Sequence, residues 1–242
     1  MENHNGNLAY VNAEHEPPVE QVKAQAASVI PFAPPKRAVY PAVKRVLDVV
    51  LSALALVALS PVFLIVAITI KLEDRGPVFY RHTRIGKNGE EIGVYKFRTM
   101  RVNADRLEDV LSPEQLSEYR REFKLDHDPR ITKVGNFLRK TSIDELPQLL
   151  NILRGQMSII GPRPLVKDEV EEKYSAAQRR LLLSVRPGLT GMWQVSGRSE
   201  CTYESGERQK LELYYVENVS AGMDIRILVK TVGVVLKGIG AR

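Results

Sequence analysis

Between Val49 and Ile70 the chain carries a run of uncharged, mostly apolar residues, with Ser60-Pro61 at its middle and basic residues at both ends. At about 1.5 Å of rise per residue the run is long enough to cross a hydrocarbon core roughly 30 Å thick. Lys36, Arg37, Lys44 and Arg45 precede it, and Lys71, Arg75, Arg81 and Arg84 follow it. Cationic flanks favour the cytoplasmic side, so both ends ask for the same side. A proline removes a backbone donor, clashes with the preceding turn and biases Ser60 away from helical geometry. The run therefore reads as helix, break, helix, dipping into one leaflet and returning, with a kinked single span as the alternative. The Ser60 hydroxyl is placed to donate to a carbonyl freed by the break. Asp48 is expected to pair with Lys44 or Arg45, because an unpaired carboxylate at that depth is costly.

Around this segment, 242 residues leave room for one sizeable domain with appendages. Residues 1–40 are polar, contain Pro17, Pro18, Pro31, Pro34 and Pro35, and lack periodic apolar content, which predicts a disordered leader. Residues 41–75 form the apolar segment with its flanks, and 76–242 the domain. A formal charge of +6 suggests an anionic partner: anionic lipid, phosphorylated substrate or nucleic acid. No basic low-complexity arm or nucleic-acid motif accompanies it, which argues against nucleic acid. A single cysteine, Cys201, excludes an internal disulfide, and no Cys/His spacing suggests a metal site. The apolar run starts too late, and without a small-residue cleavage site, for a signal peptide.

Past the apolar run, Val78–Ile85 and Ile92–Phe97 flank Lys87-Asn88-Gly89-Glu90, a tight-turn signal that predicts a β-hairpin. Ala104 to Lys124 reads as helical with a restart at Ser112-Pro113-Glu114-Gln115. A loop from Asp126 closes into a short helix, Gly135 to Lys140. The next helix is expected from Ser142 through Leu146, Leu149, Leu150 and Leu153 to a stop at Gly155. Met157 to Ile160 reads as a short strand, Val166 to Ser184 as a helix, Arg186 to Gly191 as a loop, Trp193-Gln194-Val195 as extended and Tyr203 to Asn218 as helical. Ile225, Leu228, Val229, Val232, Val235 and Leu236 recur at helical spacing, on a helix packing into the core or lying on a membrane surface, the core reading being slightly ahead. The class is α+β: mostly helical, with one small hairpin.

Chemistry concentrates at Thr141-Ser142-Ile143-Asp144-Glu145. Ser142 and Glu145 have the spacing of a capping box, and an acidic pair in a helix's first turn needs no function. The same geometry depresses a carboxylate's pKa and attracts phosphate, so Asp144 can serve as a nucleophile while Glu145 holds a divalent cation, with hard oxygen ligands suiting Mg2+. Arg139 and Lys140 precede the pair and either grip phosphate or complement their own helix dipole. Lys96 and Arg98 lie at a basic strand end. Arg163 and Arg186 are held beside prolines in Gly161-Pro162-Arg163-Pro164 and Arg186-Pro187-Gly188, an arrangement that aims an arginine at an anion. Trp193 is the only tryptophan, able to stack on a base or to fill core.

At Lys44-Arg45 with Asp48, Ser60-Pro61, Lys96-Phe97-Arg98-Thr99-Met100, Leu138 to Gln148, Gly161-Pro162-Arg163-Pro164 and Arg186 to Gly191, the chain resembles the bacterial sugar transferases, the monotopic phosphoglycosyl transferases. The likeness runs from about residue 42 to the C-terminus. It implies transfer of a sugar 1-phosphate from a UDP-sugar to undecaprenyl phosphate at the cytoplasmic face of the bacterial inner membrane. By that resemblance Asp144 attacks the β-phosphate and releases UMP, Glu145 helps hold Mg2+, and Arg139 and Arg163 contact phosphate. Lys96, Arg186 and Asp224 also correspond to phosphate-site positions. The family's anchor is a re-entrant helix broken at Ser60-Pro61. Longer members carry several spanning helices where this chain has its leader, and Met192-Trp193 stands where Trp-Ala is commoner. A hexose destined for an exopolysaccharide is the expected cargo, anionic lipid a further partner, and a homo-oligomer is compatible with the sequence. A membrane-tethered scaffold without catalysis is the competing class.

Overall fold

A computed structural model describes residues 39–104, 106–122, 125, 128–196 and 203–237. The leader expected over residues 1–40 lies outside these, except that Val39 and Tyr40 already belong to the first helix. Helices α1 (Val39–Ala58) and α2 (Ser60–Asp74) meet at Leu59 with a bend of 60°. Pro61 stands in the first turn of α2, where its missing N–H breaks no helical bond, and the Ser60 hydroxyl donates to the Val57 carbonyl at 2.8 Å. Among the described residues no single helix is long and apolar enough to cross a membrane, but this bent pair is when taken together.

The polarity of α1 is inverted relative to a helix on a water-soluble domain, whose apolar stripe faces inward. Val43, Val46, Leu47, Val50, Leu51, Leu54 and Val57 are exposed, while Asp48 and Ser52 are buried. Facing inward at helical spacing, Lys44 donates to Asp224 at 2.6 Å and Arg45 to the Ile152 and Leu153 carbonyls at 2.6 and 3.0 Å. Asp48 accepts the Ile159 N–H at 3.0 Å rather than pairing with Lys44 or Arg45. Both cations are engaged elsewhere by the domain. On α2, Val66 and Ile70 pack with Phe97 and Leu138, and Asp74 receives both terminal nitrogens of Arg98.

Strands β1 (Phe79–Ile85) and β2 (Glu91–Phe97) form the expected antiparallel hairpin, Phe79 opposite Phe97 and Ile85 opposite Glu91. Its turn places Asn88 at φ 59° and Gly89 at φ 83°, the left-handed region that Asn and Gly tolerate best. The free edge of β2 is closed by a side chain. Asn151, fully buried, accepts the Tyr95 N–H at 2.9 Å and donates to the Gly93 carbonyl and to Gln156, both at 2.8 Å.

Downstream come α3 (Leu107–Val110), α4 (Pro113–Glu122), α5 (Lys133–Lys140), α6 (Gln148–Leu153), β3 (Ser158–Ile160), α7 (Lys167–Lys173), α8 (Ala176–Leu182), β4 (Gly188–Thr190), α9 (Met192–Val195), α10 (Glu207–Glu217) and α11 (Ala221–Lys237). Ser112 and Gln115 cap α4 reciprocally, as its sequence suggests. Several expectations are corrected. The helix expected over Val166 to Ser184 divides at Tyr174, where Ser175 caps a new one. The segment from Arg186 to Gly191 is not only loop, because Gly188–Thr190 pairs in parallel with β3. Trp193-Gln194-Val195 is a helical turn, its docking on α10 and α11 overriding its extended preference. On α11, Ile225, Leu228, Val229 and Val232 are exposed while Asp224 and Ile227 face inward, so these four are not core, and the side chains of Val235 and Leu236 lie outside the described residues.

Asn151→Leu is expected to lower stability by about 2–3 kcal/mol, since it strands a buried N–H and a buried carbonyl of β2. Thermal unfolding against the parent chain measures the loss.

Candidate active site

A left-handed residue opens the turn that carries the two consecutive carboxylates. Ser142 has φ 56° and makes no side-chain cap, so the capping box expected with Glu145 is absent. Asp144 and Glu145 instead ride a single 3-10 turn, Ile143–Glu145, and α6 begins only after Pro147. A non-glycine residue in this region is strained, and such strain gathers at functional sites. The turn delivers both carboxylates to Lys96 on β2. Its ammonium lies 2.8 Å from Glu145 Oε1 and 3.7 Å from Asp144 Oδ2.

Asp144 is buried, and burial pushes its carboxyl above the ordinary value. Lys96 opposes the shift, Glu145 adds to it, and Arg139 and Arg163 oppose it. A buried acid among three cations is held close to ionisation without being fully solvated. Arg139, in the last turn of α5, donates through Nε to the Thr99 hydroxyl at 2.9 Å, and burial lowers its own pKa. The position of α5 depends on Gly135, where a Cβ would fall 2.0 Å from the Thr99 carbonyl oxygen.

The glycine-bearing turns that hold Arg163 and Arg186 pack backbone on backbone. A Cβ at Gly188 would lie 2.1 Å from the Gly161 nitrogen, and one at Gly191 would lie 2.2 Å from the Gly161 oxygen. Only glycine permits that approach, and it fixes Arg163 at the rim of an open, shallow cleft. Lys96, Glu145, Gln148, Arg84, Arg163 and Gln194 line the cleft. Arg84 is held near the Glu169 carboxylate at 4.0 Å, and burial brings its pKa down to about 10. Behind the rim, the Arg163 guanidinium lies 5.4 Å from the Trp193 ring centroid, and Arg208 lies 4.6 Å from the same ring and 4.2 Å from Tyr203.

Of the residues singled out in the sequence, Lys96, Asp144, Glu145, Arg139 and Arg163 come together. Arg186 does not line the cleft: it is exposed and donates to the Gly155 carbonyl at 2.7 Å. Asp224 is also elsewhere, its carboxylate occupied by Lys44, Tyr215 and Tyr40. Ser60 and Pro61 form the break in the helix pair. Arg84, Gln148 and Gln194 were missed because their signal is tertiary. Alternation along β1 puts Arg84 on one face, but nothing local says which face meets the cleft.

The fit to a divalent cation is partial. Glu145 and Asp144 supply hard oxygens, and no cluster of three or more His, Cys, Asp or Glu exists among the described residues. That suits Mg2+, which keeps several waters and takes its remaining ligands from substrate phosphates.

The site is thus a basic cleft beside one buried and one half-buried carboxylate, next to a helix pair with an outward apolar face. The description of the bacterial sugar transferases matches residues 39–238, and the chain belongs to that family. It is 50% identical over 192 residues to the exopolysaccharide production protein ExoY of Sinorhizobium fredii, covering 78% of this chain and 83% of that one. It is 43% identical over 201 residues to the undecaprenyl-phosphate galactose phosphotransferase of Salmonella typhimurium, covering 82% of this chain and 41% of that one. With the UDP-glucose:undecaprenyl-phosphate glucose-1-phosphate transferase of Escherichia coli the identity is 42% over 193 residues, 78% of this chain and 39% of the other.

Gly135→Ala is expected to cost about 2–3 kcal/mol through its clash with Thr99. Ser142→Gly, which relieves a left-handed residue, should leave the unfolding midpoint unchanged or slightly raised. Thermal unfolding of the two variants distinguishes a backbone that must approach from one that must bend.

Proposed function

We propose that the chain transfers a hexose 1-phosphate from a UDP-sugar to undecaprenyl phosphate, by way of a covalent intermediate on Asp144. The observation that carries this reading is the pairing of a buried carboxylate with Lys96, Arg139 and Arg163 beside a basic cleft. An Asp144 oxygen attacks the β-phosphorus, the bond to the bridging oxygen breaks, and UMP leaves with that electron pair. A phosphate oxygen of the lipid then attacks the same phosphorus and displaces the carboxylate, giving a polyprenyl diphosphosugar and restoring Asp144. Two displacements on one group give ping-pong kinetics.

Lys96 and Arg163 neutralise charge on the pyrophosphate, and Arg139 steadies the ionised form of Asp144, the electrostatic work that phosphoryl transfer requires. Glu145 would hold Mg2+, which when bound screens the pyrophosphate and favours departure of UMP. Lys96 occupies Oε1 of Glu145, and the cation would take the second oxygen.

The acceptor's phosphate stays at headgroup depth while the donor is soluble, so the site belongs at a membrane surface. The outward apolar residues of α1, and those of α11, support a re-entrant seat in one leaflet with the domain at its cytoplasmic face. A bent pair with cationic flanks at both ends supports return to the same side. ExoY's name supports exopolysaccharide assembly as the destination.

Asp144→Asn should abolish UMP release from every UDP-hexose while leaving the protein in the membrane fraction. Release at the parental rate refutes the covalent reading. Because burial raises the Asp144 pKa, kcat of the parent is expected to fall on acidification before an ordinary aspartate would protonate, and a kcat flat down to about pH 5 contradicts that role.

A further inference from the structure

Glu212 lies outside every step above, yet it is among the most completely buried side chains described, with 1% of its surface exposed. It sits on α10 with both carboxylate oxygens on the backbone N–H of Arg163, at 3.1 and 3.3 Å. Prolines flank Arg163 on both sides and have no N–H, so this is the one backbone donor of the Pro162-Arg163-Pro164 turn, and it is spent on a single buried acid. That turn presents the guanidinium lining the cleft.

The groups facing Glu212 make its charge consequential. Arg208, from α10 itself, and Arg163, from the turn after β3, are cations sharing the Trp193 indole. Glu169, from α7, is the other anion, and it is already engaged by Arg208 at 2.8 Å and by the Tyr203 hydroxyl at 2.5 Å. The Tyr174 phenol, at the end of α7, also faces the pair. Arg84, from β1, also reaches Glu169, at 4.0 Å, so with Glu212 ionised three guanidiniums face two carboxylates. With it neutral, Glu169 alone faces all three, and the contact to Arg163 loses its charge assistance.

We propose that Glu212 is a positioning residue that makes the grip of Arg163 on the donor's pyrophosphate depend on pH, holding the turn when ionised and loosening it when protonated. This rests on the reading of the cleft as a nucleotide-sugar site. Burial pushes the Glu212 carboxyl up to about 7, against Arg208 and the Arg163 amide, so the change falls near neutrality. The folded value lies above the ordinary value of 4.5, so native protein holds an extra proton between the two. The associated stability is complete below that window and lost as pH rises through it. An ionised Glu212 therefore weakens the fold while serving the site, the opposite of a purely structural carboxylate.

The test uses full-length protein in detergent, with UDP-glucose and UDP-galactose as probes, since a pyrophosphate diester keeps its charge from about pH 6 to 8. Donor affinity of the parent should weaken roughly three- to tenfold on going from about pH 8 to 6. Fluorescence of Trp193, the only tryptophan, should change over the same range. Glu212→Gln should bind weakly at both ends of the range, show neither transition, and unfold above neutral pH at no lower temperature than the parent. His82→Gln, which removes the one histidine among the described residues, should keep both transitions. Parental pH dependence surviving in Glu212→Gln, or lost in His82→Gln, overturns the proposal. Should Glu212→Gln not fold, Arg163→Ala retains the N–H that Glu212 accepts, and its affinity must be flat; a surviving slope is equally decisive against. Protein that binds donor with this pH dependence but transfers nothing refutes the transferase alone, and protein that binds no UDP-sugar refutes both.

Discussion

Everything in this structure hangs on the inward-facing polar residues of α1. A helix with Val, Leu and Ala on its outer face and Lys44, Arg45 and Asp48 turned inward is held there by polar bonds, with Ala55 and Leu56 packing on the core toward its end. Arg45 takes the Ile152 and Leu153 carbonyls at the C-terminal end of α6. Asp48 takes a backbone N–H of β3, and Lys44 takes Asp224 of α11. These contacts tie the first helix to α6, β3 and α11, the first of which lines the cleft through Gln148. The apolar side is left exposed, which supports the proposed seat in a bilayer.

The cleft follows from the same frame. α6 carries Gln148 to its lining and begins just after the acidic turn, so fixing the C-terminus of α6 through Arg45 also fixes Asp144 and Glu145. β3 leads directly into the turn with Arg163, and its parallel partner β4 leads into α9 with Trp193 and Gln194. Backbone contact between Gly161 and the Gly188 to Gly191 segment leaves these pieces almost no freedom to shift. Preorganised cations around a buried carboxylate are what a displacement at phosphorus requires, because little of its barrier is covalent work that the protein could do otherwise.

The sequence made part of this legible, and physical reasons separate that part from the rest. The hairpin, the helix break and the capped start of α4 are local: Asn88-Gly89, Ser60-Pro61 and Ser112-Pro113 determine them within a few residues. The gathering of Lys96, Asp144, Glu145, Arg139 and Arg163 was anticipated from residue type and from family likeness. Contacts across long separations were not. Asp48 was expected to pair within its own helix, but Ile159, more than one hundred residues later, offered a buried N–H that needed an acceptor. Ser142 was expected to cap a helix because its spacing to Glu145 allows it, yet Lys96 competed for the glutamate and the serine took a left-handed conformation. Val229 and its neighbours at helical spacing were expected in the core, and periodicity alone cannot tell an inward stripe from an outward one.

The most direct test concerns the helix pair itself, since a site shared by a soluble donor and a lipid acceptor depends on where α1 and α2 begin and end. In intact cells of a Cys201→Ser strain, single cysteines in the leader and in the segment following Ile70 report their side through an impermeant thiol reagent added from the periplasm. A re-entrant hairpin predicts that both stay unlabelled until the cells are opened. Labelling of either cysteine from outside contradicts it.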